Sequence, residues 1–583
     1  MRPDVTPPAQ PDGSAQPVPE PHTLRLILAA ALGFIALYSI TVVGTAADTL
    51  VYVSNLLAYR QQGPGASPRL LWEFGHLVWR PIGYVLWLAA HPFLSSWSGD
   101  NPVLEMTAVL IAVNFVVGLL LTWVLFLVCR RLGLTGPAAL IVTAGFLLSS
   151  TVLNYVHSGM SYNPGLLAQL TALLLLLEAM RRPGRAVALG LLAGCALALS
   201  VALWFPYVLT VPSVLLAGWL IHPAEPGPDR PSGRGSLRLV IAATLATAVV
   251  GVAFFGVGAA LGHISSYPAF RDWVVNSAHG INPDRRLMRL PTGVTRSFFY
   301  MGDDGFILKR FIFGDPYAPA SAFDILRAGI WKMVVVFLGI AGLVVALARR
   351  REGWPALAVL LCGALPALGF AVVLFETAEP ARYEPAYPGL LVAICAVLLL
   401  PKNVRAPRWL LAGVFAVMAL VNLKAYAWDL RAGASEDLAR AVLVQEHTAH
   451  HGVAFITGFR DHLSSYVQKH PFSPMNRQNA LPLFHLVEPG NVRLPVWRQD
   501  AACRMLETWD AGGEVWVSDR LVAPRPKPTW DWAEHDDSRI HWTDLPAFFT
   551  PLETDSHIGG ADGFFRVTNA ARNRAALQAV CSR

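Results

Sequence analysis

The feature that most limits how this chain can fold is a train of apolar runs, most of them near the length of a membrane-crossing helix and two shorter. The first, 24–43, reads LRLILAAALGFIALYSITVV and carries one charge, Arg25, at its start. Ten more lie near 104–128, 137–156, 164–180, 186–205, 208–221, 237–261, 325–348, 354–375, 387–400 and 409–426. About 20 helical residues cross a hydrocarbon core ~30 Å thick, and in lipid each backbone amide must be paired within its own segment. The expected fold is a polytopic α-helical membrane protein of about eleven spans. With 54% hydrophobic and 15% charged residues, the composition departs from that of a soluble globular protein in the same direction.

Charge placement orients the chain. Arg130-Arg131, Arg181-Arg182 with Arg185, Arg230/Arg234/Arg238, Arg349-Arg350-Arg351 and Lys402/Arg405/Arg408 fall in every second loop. Basic residues in short loops mark the cytoplasmic side. The N-terminus is thus expected inside, with the C-terminal tail outside a bacterial inner membrane. The same placement accounts for the net charge of +7 without nucleic acid, and no basic-aromatic nucleic-acid module is visible.

Outside the spans, residues 1–22 are Pro-rich and polar and are read as a disordered leader. A cleavable leader ending at Thr45-Ala46-Ala47 is the rival reading, but the apolar run exceeds the about 7–15 residues of a signal-peptide core. The spans make up a membrane unit over 23–430 with two large outer loops. The loop 48–103 is aromatic (LLWEFGHLVWRPIGYVLWLAAHPF); it is expected to form interfacial helices broken at Pro81 and Pro92. The loop 262–324 is basic, with Arg285, Arg286, Arg289, Arg296, Lys309 and Arg310.

From 431 to 583 the composition turns polar, and the tail is expected to be an extracytoplasmic α/β domain. Strands are read at 452–459, 514–521 and 563–568, and helices at 435–450 and 498–512, the latter stopping at Gly512. Cys503 and Cys581 could pair there; the six cysteines form no metal-ligand spacing. Asp303-Asp304 and Asp315 read as turn residues rather than a metal site, so no cofactor is expected and a divalent metal is not favoured. Trp530, Trp532 and Trp542 among Asp531, Glu534, Asp536 and Asp537 suit either glycan contact or ordinary packing.

Asp48 stands about one helical turn beyond the first run, where the outer interface begins. By position alone it is equally a reacting carboxylate or a helix-end charge meeting water. Downstream, His76, Arg80-Pro81 and Tyr84 lead toward the second span. Late in the chain, Glu379-Pro380-Ala381-Arg382-Tyr383-Glu384-Pro385-Ala386-Tyr387-Pro388 precedes another. Together these features resemble the GT-C superfamily of polytopic glycosyltransferases, whose bacterial members include relatives of protein O-mannosyltransferases and lipid A aminoarabinose transferases. The resemblance covers about residues 24–428 as architecture. Asp48 occupies the place of that superfamily's catalytic acid in the first external loop. The two later segments are similar to its His…Pro…Tyr and Arg-Tyr…Pro…Pro patterns. Asp48 is followed by Thr49, where several branches carry a second acidic residue, so the branch and its sugar are not specified.

The resemblance implies an inverting, metal-independent transfer of sugar from a polyprenyl-phosphate donor to an envelope acceptor outside the bilayer. Asp48 would be the base. Arg382, with Tyr383 and Arg80, would face the donor phosphate, since Arg offers a planar fork of donors; a salt bridge to Glu379 or Glu384 is the competing role for Arg382. His76, Glu73 and Glu379 are substrate-side candidates. His76 and Arg80, four apart, could share a helix face, and Glu73 could be an ion-pair partner. His157 and Tyr162-Asn163-Pro164 read as structural. A transporter or flippase, or a non-catalytic sensor displaying the tail, is the alternative. A transporter would place ionisable groups within the spans, whereas here they gather in outer loops.

Overall fold

The computed structural model describes residues 21–44, 47–62, 67–98, 102–221, 233–275, 290–301, 307, 311, 320–373, 380–400, 405–431, 453–457, 485–486, 497–522, 544–558 and 563–582. The chain is a polytopic α-helical membrane protein followed by an α/β region. Its helices are α1 (Pro21–Ile40), α2 (Ala47–Gln62), α3 (Trp79–Ser98), α4 (Pro102–Arg131), α5 (Gly136–Leu147), α6 (Ser150–Val156) and α7 (Tyr162–Arg181). Next come α8 (Ala186–Leu203), α9 (Val211–Leu220), α10 (Gly233–Leu261), α11 (Tyr267–Val275), α12 (Leu290–Phe298) and α13 (Ala322–Arg327). The last of the apolar series are α14 (Ile330–Ala348), α15 (Trp354–Val373), α16 (Tyr387–Leu399) and α17 (Arg405–Lys424).

Among the described residues, eight helices are long and apolar enough to cross a membrane. The expected span 137–156 is instead two helices, α5 and α6, bent by 72° at Leu148-Ser149. No proline or glycine marks that break. Asn422 of α17 makes it possible: its side-chain amide donates to Leu148 O at 2.7 Å and to Phe298 O at 2.7 Å, while its own oxygen accepts from Tyr300 N at 2.8 Å. A fully buried side chain thereby satisfies backbone that hydrocarbon could not. Two shorter apolar helices, 24–40 within α1 and 205–220 across α9, occupy the positions of the remaining expected spans.

Lipid gives little hydrophobic drive for helix association, so close packing has to supply it. Gly190 and Gly194 form a small-residue step on α8 facing α10. A Cβ on Gly194 would lie 2.3 Å from Ala243 O, and Thr247 Oγ1 donates to Gly194 O at 3.2 Å. Exposed Trp409 on α17 and exposed Trp428, in the helical turn Ala425–Asp429 that follows it, mark the two ends of this stretch. At 1.5 Å per residue they stand about 28 Å apart, close to a bilayer core.

Arginines gather at one end of the helices: Glu178 of α7 pairs with Arg131 of α4 at 2.8 Å and with Arg182, just before α8, at 2.6 Å. In the aromatic segment that contains Pro81 and Pro92 the prolines do not break the helix. Pro81 sits in the first turn of α3, where its missing N–H costs nothing, and α3 continues through Pro92 to Ser98. Glu105, fully buried at the start of α4, anchors that helix by accepting from Trp87 Nε1 (2.8 Å) and Ser98 Oγ (2.6 Å), with His91 Nδ1 at 2.7 Å.

In the tail, β1 (Val453–Thr457), β2 (His485–Leu486), β3 (Glu514–Ser518), β4 (Thr554–Ile558) and β5 (Phe564–Val567) form one sheet in the order β2-β1-β3-β5-β4. β1 pairs in parallel with β2 and β3, while β5 is antiparallel to both β3 and β4. Helices α18 (Trp497–Asp510), α19 (Asp519–Val522), α20 (Asp544–Phe549) and α21 (Ala571–Cys581) accompany it. Met505, Trp509, Val515, Val517, Phe549 and Leu577 are among its core residues. Gly512, at φ +76°, closes α18: Gly513 N donates to Thr508 O at 2.8 Å and Gly512 N to Trp509 O at 3.0 Å. Cys503 and Cys581 are disulfide-bonded, tying α18 to α21. Residues 1–20 of the expected leader, the helix read at 435–450 and the tryptophan-carboxylate cluster at 530–542 lie outside the described residues, as do Asp303-Asp304 and Asp315; residues 21–22 already belong to α1.

Candidate functional site

The segment 380–388 contains three prolines. A proline disfavours the α conformation in the residue before it, so Glu384, which precedes Pro385, resists an early helix start. The chain accordingly runs as a tight 3-10 turn over Pro380–Ala386 before α16 begins. The turn is buried along Ala381–Pro385. Arg382, 7% exposed, holds its guanidinium carbon 5.4 Å from the centre of the Trp204 ring. Glu384 is fully buried, with Oε1 3.3 Å from Tyr207 Oη. The same hydroxyl donates to Tyr162 O at 2.9 Å. The neighbouring Tyr383 points elsewhere, packing among Val294, Phe299, Val336, Ala371 and Met418. Glu379 lies outside the described residues.

From Arg382 a line of rings runs to the start of α3. Trp204 lies 4.5 Å from Tyr162, Tyr162 lies 6.1 Å from His76, and His76 lies 5.3 Å from Tyr52, all centre to centre. Arg80 closes the line, its guanidinium carbon 5.4 Å from the Tyr52 ring. Tyr155 and Tyr207 flank it, against Tyr162 and Trp204. Three of the sequence-read residues, Arg80, His76 and Arg382, therefore belong to one continuous array.

His76 and Arg80 reach it by different routes. His76 ends a 3-10 turn at Phe74–His76, and its Nδ1 lies 2.7 Å from Ser161 Oγ. Arg80 starts α3, pairs with Glu73 Oε2 at 2.6 Å and donates to Leu70 O at 3.2 Å. The two do not share a helix face; they meet around Tyr52. Glu73 takes the ion-pair position.

Asp48 falls in the first turn of α2; its side chain lies outside the described residues. The next residue, Thr49, is fully buried and accepts from Gly159 N at 2.9 Å. Trp79 Nε1 donates to Gly159 O at 2.8 Å. The first turn of α2 and the His76–Arg80 segment thus meet on the loop 157–161.

Several residues that complete this arrangement carry no readable sequence signal. Trp204 and Tyr207 follow a span, as interfacial aromatics commonly do. Tyr162 reads as structural. Glu384 reads only as a partner for Arg382, yet its carboxylate accepts from the Tyr207 hydroxyl. Chemically, the array offers a guanidinium in a water-poor setting, where an anion is held more strongly than in bulk water, beside flat rings that suit a sugar or an apolar chain. Among the described residues no group of three or more His, Cys, Asp or Glu is placed to hold a metal.

The chain matches no protein-family profile and no curated protein sequence. Solved structures similar to it include the archaeal oligosaccharyltransferase AglB from Archaeoglobus fulgidus in complex with an inhibitory peptide and a dolichol-phosphate. That likeness is at 14% identity and TM-score 0.42, over 95% of this chain and 75% of that one. ArnT from Cupriavidus metallidurans bound to undecaprenyl phosphate is similar at 14% identity and TM-score 0.40, over 95% of this chain and 99% of that one.

Proposed function

We propose that the chain is an inverting glycosyltransferase that moves a sugar from a polyprenyl-phosphate donor to an envelope acceptor at the outer face of the membrane. The observation that carries this reading is Arg382, buried over Trp204 and joined by a ring array to the segment beside Asp48. In the proposed step the acceptor oxygen attacks the anomeric carbon from the face opposite the phosphate. The carbon–oxygen bond to phosphate breaks, and its electron pair stays on the departing lipid phosphate. The acceptor's proton passes to Asp48. Arg382 meets the charge that develops on the phosphate, and low exposure strengthens that interaction in the transition state. The rings of Trp204 and Tyr162 flank the sugar or the first isoprene units.

The site belongs to a membrane unit over 23–430, preceded by a leader over 1–22 and followed by an outer α/β unit over 431–583. The Cys503–Cys581 disulfide supports the outer placement of the last, because such bonds persist in oxidising compartments. Basic helix ends, exemplified by Arg131 and Arg182, support a cytoplasmic N-terminus.

The test is transfer by purified protein in lipid, using labelled polyprenyl-phosphate sugars and an envelope extract, with wild type beside Asp48→Asn and Arg382→Ala. Product from wild type, none from a folded Asp48→Asn, and a fall of about 10²–10³ in kcat for Arg382→Ala are expected. Equal product from wild type and Asp48→Asn removes Asp48 from the chemistry. Movement of intact donor across the bilayer without cleavage replaces transfer with transport.

A further inference from the structure

The chain on either side of Asp48 is tied down at three points, and all three lead to the same short stretch. Before it, Thr41 Oγ1 lies 2.8 Å from His157 Nε2, and Gly44 N donates to Asn154 Oδ1 at 2.8 Å. After it, Thr49 Oγ1 accepts from Gly159 N at 2.9 Å. The stretch is itself held from behind. Asn114 of α4 donates to both Ser158 O (2.6 Å) and Met160 O (2.8 Å), and Trp79 of α3 donates to Gly159 O (2.8 Å). Every carbonyl from 158 to 160 is thus engaged by a side chain of a long helix, and the Gly159 N–H is spent on α2.

Gly159 cannot take a Cβ unless Thr49 of α2 or Leu110 of α4 gives way. A Cβ there would lie 2.6 Å from Thr49 Cγ2 and 2.9 Å from Leu110 Cβ. The contact between loop and helix is therefore both a hydrogen bond and a steric stop.

We propose that residues 154–161 act as a template that sets the position of the first turn of α2, with Thr49 and Asn114 as positioning residues for the transfer step. This rests on the reading of Asp48 as the base. A base must lie within about 3 Å of the proton it takes, and displacement by ~1 Å can cost about 10²-fold in rate. Helix α1 ends at Ile40 and residues 41–44 are not helical, so α1 does not carry its register into the first turn of α2. The template supplies that register from α3, α4 and α6, which are themselves packed.

The experiment is steady-state transfer with purified protein in lipid, resolved into kcat and KM, for Thr49→Val, Thr49→Ser, Gly159→Ala and Gly159→Ala/Thr49→Ser, with Asp48→Asn alongside. Thr49→Val keeps the shape and removes the acceptor; its kcat is expected to fall about 10²-fold with KM for the donor unchanged. Thr49→Ser keeps the oxygen and retains most of the rate. Gly159→Ala also lowers kcat, and adding Thr49→Ser, which deletes the Cγ2 in its way, restores part of it. A wild-type kcat for Thr49→Val, or a loss confined to KM, overturns the proposal. Should Thr49→Val not fold, the Gly159 pair decides: no recovery in the double variant overturns it. An active Asp48→Asn sinks the functional reading itself, whereas an inactive Asp48→Asn with an unaffected Thr49→Val sinks the template alone.

Discussion

The Arg80–Glu73 pair allows a structural and a donor-binding role to be separated. Its atoms approach to 2.6 Å, and the two side chains are 7% and 12% exposed. Replacing Arg80 by Met takes this cation away from the Glu73 carboxylate in a place where little water reaches. Loss of one partner from such a buried pair costs about 3–5 kcal/mol. The contact with the Tyr52 ring adds about 0.5–1 kcal/mol. Replacing both residues, as Arg80→Met/Glu73→Leu, removes the pair and its desolvation cost together, so most of that stability returns.

The assay is a double-mutant cycle on denaturant or thermal unfolding in one detergent, with transfer measured on the same preparations. Stability and transfer that recover together in the double variant make Arg80 an anchor for α3. Recovered stability with transfer still absent returns Arg80 to the donor phosphate. A cost below about 1 kcal/mol for Arg80→Met alone, the range of exposed pairs, would refute the argument from burial.

Two further predictions concern the tail. The Cys503–Cys581 bond closes a separation of 78 residues, so reducing it should destabilise the region by about 2–5 kcal/mol. Tryptic cleavage of the full-length protein in lipid, with and without reductant, reads this out, and equal cleavage rates count against it. The paired Arg566 holds the Asp555 carboxyl below its ordinary value. The sign follows from that direction: the pair stabilises the fold above the unfolded carboxylate's pKa and is lost as pH falls through the lowered native one. Asp555→Asn should flatten that acid limb in an unfolding-versus-pH series, and an unchanged limb would exclude the pair as its source.

Much of the fold was legible because a single physical demand acted locally. A run of apolar residues must be helical in lipid whatever surrounds it, and α4, α7, α8, α10, α14 and α15 lie where those runs do. Alternation with turn residues was equally local, so the strand readings around β1, β3 and β5 overlap the strands found. What failed to show depended on partners far away in sequence. The bend between α5 and α6 is satisfied by Asn422, more than 270 residues later. Strand β4 reads TDSHI, polar and largely exposed, so no apolar alternation announces it. Pro92 looked like a helix end because its local cost was visible and the packing of α3 on α4 was not.

The candidate site divides along the same line. Arg382 and His76 could be singled out because a rare charged or ionisable side chain in an apolar, proline-framed setting must have a reason to be there. Their relation could not be read, since the rings that join them, Trp204, Tyr162 and Tyr52, come from three separate stretches and look like ordinary interface aromatics. Thr49 shows the limit most plainly. In the sequence it appears only as the residue that is not a second acid after Asp48. In the structure its hydroxyl accepts from Gly159 N, and its methyl leaves no room for a Cβ on Gly159. A threonine there exchanges a second charge for a fixed register. That exchange suits a site in which one carboxylate must be held in place rather than two share the work.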